Sequence, residues 1–328
     1  MKTVVVTGAS AGVGRATAVA FGSRGDRVAL IARGEDGLQA AAREVRAAGG
    51  TALVLPCDVA DADAVEAAAA RAEDELGPID VWVNCAMAAV LAFVHETDAA
   101  DVRRVTETTY LGCVHGTLAA LRRMRPRDRG VIVQVGSTLA YRAIPLQATY
   151  CAAKFAIRGF TDSLRTELLH EGSGVRVTMV QLPGLNTTQF TWVRTTLRRQ
   201  PRPVAPVYQP EVAADAIVHA AEHPRRELWV GSNTPILITG NKLAPWLGDR
   251  YLARTNVEAQ QTPDPIGPDR PDYLYRPLGD RGSHGPFDDE ARASSIQLAL
   301  AKRRRALTLA AAATAVGAAG TALVRRAR

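Results

Sequence analysis

Short β-branched runs alternate with alanine-rich stretches along the first half of the chain. Lys2-Thr3-Val4-Val5-Val6 is the first such run, and Arg27 to Ala32, Thr51 to Cys57, Ile79 to Asn84, Gly130 to Gly136 and Gly174 to Gln181 repeat it. Each is followed by a segment of helical length. Strands alternating with helices predict an α/β fold, in which a doubly wound parallel sheet is wrapped by helices on both faces. The 328 residues, 47% of them apolar, suffice for one large domain plus an extension, and the reading places that domain at residues 1–250.

Beyond about Arg250 the pattern breaks. Pro263, Pro265, Pro268, Pro271, Pro277 and Pro286 crowd a stretch rich in Asp, Arg and Gly, so residues 251–299 read as an extension without a long helix or central strand. Within it, residues 255–286 form a strap, either disordered or laid over the body with Tyr273, Leu274 and Tyr275 as anchors. Residues 300–328 differ again. Ala306 to Val324 is a run of nineteen residues without a charge, about 28 Å as a helix against a hydrocarbon core of about 30 Å. Nine of the nineteen are alanine, which leaves two readings open: an alanine-rich helix packed on the body, or an anchor in a membrane.

The formal net charge of +7 raises the question of a polyanionic partner. Seven basic residues and no acidic one lie between Leu300 and Arg328, so residues 1–299 are formally neutral. A nucleic-acid-binding body finds no support, and the basic tail is the candidate contact with a membrane surface. Cys57, Cys85, Cys113 and Cys151 show no C-x-x-C spacing and the six histidines form no cluster, so neither a metal site nor a disulfide scaffold is predicted. A strand beginning at Lys2 leaves no room for a secretory signal, and a cytoplasmic, reducing compartment is expected.

Candidate chemistry begins where the first strand runs into Thr7-Gly8-Ala9-Ser10-Ala11-Gly12-Val13-Gly14, followed by an amphipathic stretch carrying Ala16, Val19 and Ala20. A strand, a glycine-rich turn and a helix start are the setting a phosphate-binding loop requires, because the backbone can approach the anion and the helix N-terminus supplies positive potential. A second cluster follows. Tyr150 and Lys154 are four residues apart and share a helix face, so the ammonium can favour the ionised phenol. Bringing a phenol into the neutral range needs roughly 4 kcal/mol of differential stabilisation. Ser137, at the end of a strand-like run, offers a hydroxyl to the same substrate oxygen.

Thr7-Gly8-x3-Gly12-x-Gly14, Asp58-Val59, Asn84, Ser137, Tyr150-x3-Lys154 and Pro183-Gly184, in this order, resemble the short-chain dehydrogenase/reductase family over roughly residues 1–250. The resemblance implies a Rossmann-like fold with Tyr150 as general acid/base, Ser137 orienting the substrate oxygen, and Lys154 holding the nicotinamide ribose and lowering the Tyr150 pKa. It places Gly8, Ser10, Gly12, Val13, Gly14 and Ala86 against the cofactor. Asp58 and Val59 would border the adenine, Asn84 would support the cofactor loop, and Pro183-Gly184 would lie beside the nicotinamide. Two positions depart from the family pattern. Met87 stands where a glycine is usual, and Thr109 where the family has a fourth catalytic residue, an asparagine. Threonine keeps the backbone carbonyl of that position, and its hydroxyl can bond back along the helix.

NADP is expected rather than NAD. The second strand ends in Ala32-Arg33, with no acid to hold a ribose hydroxyl and a guanidinium available for a 2′-phosphate, and Ser10 can add a hydroxyl. Leu185 to Pro210 would form a lid, with Phe190, Trp192, Val193 and Leu197 facing Tyr141, Ile144, Pro145 and Leu146 across an apolar pocket; Arg194, Arg198 and Arg199 are expected to face solvent. The expected activity is hydride transfer between NADP(H) and an apolar secondary alcohol or ketone. Two other readings are carried: an NADP-binding relative without catalysis, acting as a sensor, and a membrane-surface scaffold organised by the tail. Pairing of copies through the helices carrying Leu111 and Tyr150 is expected by analogy with the family.

Overall fold

The β-branched runs all enter one sheet. The computed structural model describes residues 1–267 and 269–303, and its central sheet contains β1 (Thr3–Thr7), β2 (Arg27–Ala32), β3 (Thr51–Pro56), β4 (Ile79–Asn84), β5 (Gly130–Ser137), β6 (Val175–Leu182) and β7 (Glu227–Trp229). The order is β7-β6-β5-β4-β1-β2-β3, with every pairing parallel. β7, a three-residue edge strand with one buried apolar residue, Leu228, is too short to carry a periodic signal in the sequence.

The chain starts at the middle of the sheet, winds outward to β3, and returns across β1 to β4. Helices α1 (Gly12–Gly22), α2 (Glu35–Ala47) and α7 (Pro210–Glu222) cover one face, while α3 (Ala62–Leu76), α5 (Gly112–Met124) and α6 (Ala148–His170) cover the other. Val4, Val6, Val28 and Leu30 point into the first layer, and Val5, Ala29, Ile31 and Trp82 into the second. Burial on both faces is what a parallel sheet requires, and the alternate residues of each strand divide between the two cores. The reversal of winding between β1 and β4 opens a crevice at the carboxyl ends of the strands, where ligands bind in sheets of this kind.

Between α4 (Ala99–Val105) and α5 the helix passes through a wide turn, Thr106–Leu111, with π-type hydrogen bonding. Two more helices, α8 (Asn233–Leu243) and α9 (Pro245–Ala259), follow β7 as a hairpin. Beyond α9 the proline-rich segment lies over the body. Gln261–Pro265 pairs antiparallel with Arg199–Pro201, and Leu274 is fully buried against Ala88, Val90, Ala92 and Val105. Tyr273 is partly buried beside it. Tyr275 is half exposed and anchors by donating its hydroxyl to Asp101 at 2.8 Å. Farther on, Asp280 pairs with Arg15, and α10 (Ile296–Lys302) inserts Leu298 into the core beside α7. The uncharged run Ala306 to Val324 lies outside the described residues; among those described, no helix is long and apolar enough to cross a membrane.

Leu274 is the strap's principal apolar attachment, and truncating a buried leucine costs about 2 to 5 kcal/mol. Leu274→Ala should make the segment between residues 265 and 290 far more sensitive to limited proteolysis while the far-UV circular dichroism of the body is retained. Equal cleavage rates in variant and wild type would show that the strap is held by other contacts.

Candidate active site

The turn after β1 is built by close approach. A Cβ on Gly8, whose φ is +71°, would come within 2.8 Å of Ala86 Cα, and one on Gly14 would come within 2.1 Å of the Gly8 carbonyl oxygen. Only glycine permits both contacts. The Thr7 hydroxyl accepts from the amides of Cys85 at 3.0 Å and Ala86 at 3.1 Å, tying the loop after β4 to the loop after β1. Gly8, Ser10, Gly12, Val13, Gly14 and Ala86 border one cavity of about 920 Å³.

Asn84 does not. It points into the core, accepting from Trp82 Nε1 at 2.8 Å and donating to Thr117 at 3.1 Å and Gln134 at 2.9 Å. The loop-supporting role expected of Asn84 belongs to Thr7. The strand alternation that puts Trp82 in the second layer puts Asn84 on the same side of the sheet.

Ser137 ends β5, Tyr150 lies in the first turn of α6, and Lys154 follows one turn later; all three border the cavity. The Ser137 side chain hydrogen-bonds with the phenol and also accepts from the Leu139 amide at 3.1 Å. Lys154 is buried, donates to the Val135 carbonyl at 2.7 Å, and holds its ammonium 5.5 Å from the Tyr150 ring centre. Burial pushes the Tyr150 phenol well above its ordinary value, with the Ser137 bond pulling the other way, and burial also pushes Lys154 down. The expectation that Lys154 brings the phenol to neutrality is therefore not met by the protein alone. Desolvation of a phenolate outweighs a cation directed at a carbonyl.

Thr109 is fully buried and does not bond back along its own helix. Its hydroxyl donates to the Ala88 carbonyl at 2.9 Å and accepts from the Ala88 amide at 2.8 Å, so the wide turn is stitched to the loop after β4. The other departure, Met87, belongs to the strap. Tyr273 approaches Met87 Sδ to 3.8 Å, accepts from the Ala89 amide at 2.9 Å, and packs on Trp192 with ring centres 5.4 Å apart. Met87, Tyr150 and Tyr273 share one apolar cluster with Ala89, Leu91 and Val193. Burial pushes the Tyr273 hydroxyl up to about 12. A bulky residue in a glycine's place was the available sign that something else fills this corner.

Arg33 lies at the end of β2, but its guanidinium is engaged: it donates to the carbonyls of Leu274, at 3.0 Å, and Tyr273. Arg104, not anticipated from the sequence, donates to the same Leu274 carbonyl at 3.2 Å and pairs with Asp58 at 2.5 Å. Two guanidinium groups thus face one carboxylate beside Ala32. Burial and the neighbouring Arg104 pull the Arg33 pKa down. Asp58, Val59, Pro183 and Gly184 border the cavity, and Gly282 from the strap accepts from the Gly12 amide at 3.1 Å.

The apolar end of the cavity is lined in part by the residues expected there. Phe190, Trp192, Val193 and Ile144 border the cavity, and Leu197 packs behind them. Tyr141, Pro145 and Leu146 are not part of its lining; Tyr141 instead donates to Glu227 at 2.5 Å. The opposite wall is Ile236, Leu237, Tyr251 and Leu252 of α8 and α9. Arg194 and Arg199 are not simply solvated: Arg194 pairs with Asp101 at 2.6 Å and Asp272 at 3.1 Å, and Arg199 pairs with Glu258. The four cysteines are free and buried.

Comparison with known proteins agrees with this geometry. A family model described as short chain dehydrogenase matches residues 2–197. An uncharacterized oxidoreductase of Bacillus subtilis, YxnA, is 33% identical over 290 residues, 86% of this chain and 81% of its own. The putative oxidoreductase SadH of Mycobacterium tuberculosis is 32% identical over 242 residues, 70% of this chain and 86% of its own. Among solved structures, a metagenomic short-chain oxidoreductase in complex with NADP is similar with a TM-score of 0.59 and 29% identity, over 70% of this chain and 96% of that one. An oxidoreductase-type glycine turn, the Ser137-Tyr150-Lys154 group and the parallel sheet that joins them are accounted for by one conclusion: the chain belongs to the short-chain dehydrogenase family.

Proposed function

We propose that the protein transfers a hydride between NADP(H) and an apolar secondary alcohol or ketone, with Tyr150 moving the proton. The observation that carries this reading is the convergence of Ser137, Tyr150 and Lys154 in one cavity with the glycine turn, while the rest of that cavity is lined by Phe190, Trp192, Ile236 and Leu237.

The cradle at Gly8 and Gly14 is shaped for a dinucleotide, since any Cβ there would collide with backbone. NADP, when bound, supplies or accepts the hydride. The pair Arg33 and Arg104, with Asp58 as the one carboxylate paired to them among the described residues, favours a 2′-phosphate over a bare ribose hydroxyl. The similar metagenomic oxidoreductase in complex with NADP supports this choice.

Ser137 would donate a hydrogen bond to the carbonyl oxygen of a ketone, and the protonated Tyr150 would deliver its proton to that oxygen as charge develops on it. A protonated Lys154 behind the phenol would stabilise the phenolate left after transfer. A phenol kept protonated by burial suits reduction: its rate should be level from neutral to mildly alkaline pH, while alcohol oxidation rises with pH.

Thr109 and Met87 are each packed by a specific partner, Ala88 and Tyr273, which supports structural roles for both rather than loss of catalysis. The free, buried cysteines fit a reducing, cytoplasmic compartment. Leu111, Leu118 and Phe155 are exposed on the helices that carry Leu111 and Tyr150, which supports pairing of copies along that face.

Tyr150→Phe is expected to abolish turnover of a ketone panel while the dissociation constant for NADPH stays within about threefold of wild type. Retained turnover would reject Tyr150 as the proton donor. Arg33→Ala should weaken NADP by roughly 1.5 to 3 kcal/mol and NAD much less, as for a charge-assisted contact. Equal losses for both cofactors, measured by titration, would leave Arg33 as an anchor for the strap alone.

The Thr109 hydroxyl satisfies two buried backbone groups, and orphaning each costs about 1 to 3 kcal/mol. Thr109→Val should therefore lower both the melting temperature and kcat, whereas Thr109→Ser should stay near wild type in both. Thr109→Asn should raise kcat by no more than about tenfold. A gain of several orders of magnitude would mean that the natural chain lacks the proton path and favour a sensor over an enzyme.

A further inference from the structure

Helices α8 and α9 turn at Ala244, and their outer surface is strongly apolar. Six of the seventeen large apolar side chains exposed among the described residues lie between residues 236 and 251: Ile236, Leu237, Leu243 (80% exposed), Trp246 (55%), Leu247 (52%) and Tyr251 (66%). The hairpin is not held through these residues. Ile238 and Leu252 are its buried apolar contacts, and Arg142 clamps the turn by donating to Asn241 at 3.0 Å and the Pro245 carbonyl at 3.4 Å while pairing with Asp249 at 2.6 Å. Ile236, Leu237 and Tyr251 also line the cavity that contains Tyr150, so the exposed apolar surface is continuous with the cavity's wall.

The charges on the hairpin are asymmetric. Its two acids are each compensated from outside, Asp249 by Arg142 and Glu258 by Arg199. Lys242, Arg250 and Arg254 have no carboxylate in ion-pair reach among the described residues, and Arg250 lies over the Trp246 ring, 5.3 Å from its centre. Aromatic and aliphatic side chains rimmed by uncompensated cations are the chemistry of a helix that lies in the interface of an anionic bilayer.

We propose that the α8–α9 hairpin docks on an anionic lipid surface, with Trp246 and Leu247 inserted and Lys242, Arg250 and Arg254 at the headgroups, so that a bilayer-resident alcohol or ketone enters the cavity without crossing water. The choice of substrate rests on the carbonyl/alcohol reading above; the docking itself does not. A second copy is a poorer occupant, because a self-complementary contact centred on this patch would bring the same three cations together. A soluble protein seated there would cover the cavity mouth, whereas lipid both covers the apolar rim and supplies a diffusible substrate.

The test uses the full chain and vesicles of phosphatidylcholine, with and without added phosphatidylglycerol. Flotation with the anionic vesicles is expected, falling roughly tenfold or more for Trp246→Glu/Leu247→Glu and for Lys242→Glu/Arg250→Glu/Arg254→Glu, as for loss of interfacial apolar and charged anchors. Brominated lipid should quench the fluorescence of the natural protein and should quench Trp246→Phe much less. The two charge and apolar variants should reduce a short water-soluble ketone as wild type does and lose rate on a long-chain ketone embedded in vesicles. Absence of vesicle binding, or binding and quenching unchanged in both variants as the basic tail alone would produce, overturns the proposal. So does a dimer in light scattering that these substitutions dissociate, since the patch would then be an interface between copies. Because flotation and quenching are read without turnover, a protein that floats as expected yet reduces no carbonyl would defeat the proposed reaction and leave the docking established.

Discussion

The chain comes to near contact with itself where the turn after β1 meets the loop after β4. A methyl group on Gly8 would already lie 2.8 Å from Ala86 Cα, and the Thr7 hydroxyl fixes the two strands' ends by accepting from Cys85 and Ala86. That contact sets the width of the crevice created by the reversal of winding in the sheet. The loop it positions also carries Met87, Ala88 and Ala89, which in turn receive Tyr273 from the strap and Thr109 from the wide helical turn. One backbone constraint thus registers the glycine turn, the wide helical turn and the C-terminal segment against each other.

Electrostatics at the site follow from burial more than from charge pairing. Tyr150 and Lys154 are both drawn toward their neutral forms by loss of water, although the Lys154 ammonium lies 5.5 Å from the Tyr150 ring. In that setting the neutral phenol is favoured over a standing phenolate. At the other end of the cavity burial again opposes the charged form, at Arg33, and the neighbouring Arg104 adds to it. Arg33 and Arg104 share the Leu274 carbonyl, and the strap's backbone dipoles hold two cations close together with a single carboxylate nearby. The strap therefore shapes both ends of the site, through Tyr273 beside Tyr150 and through its carbonyls beside Ala32.

Local sequence determined a good deal of this. The β-branched runs became strands because a parallel sheet buries both faces, and that demand is written in the composition of each run. The glycines of the first turn and the four-residue step from Tyr150 to Lys154 are short-range features, and their geometry is set by the few residues that carry them. What the sequence could not settle depends on contacts between segments far apart in the chain. Asn84 faces the core because of the alternation around Trp82, and Thr109 bonds Ala88 rather than its own helix because the wide turn brings them together. Arg33 is engaged by a strap some 240 residues later, and the second wall of the cavity comes from α8 and α9, whose side chains carry no periodic signal of a binding site. Periodicity and turn chemistry act over a few residues, whereas the partner of a side chain is decided by which distant segments the folded sheet brings to the same edge.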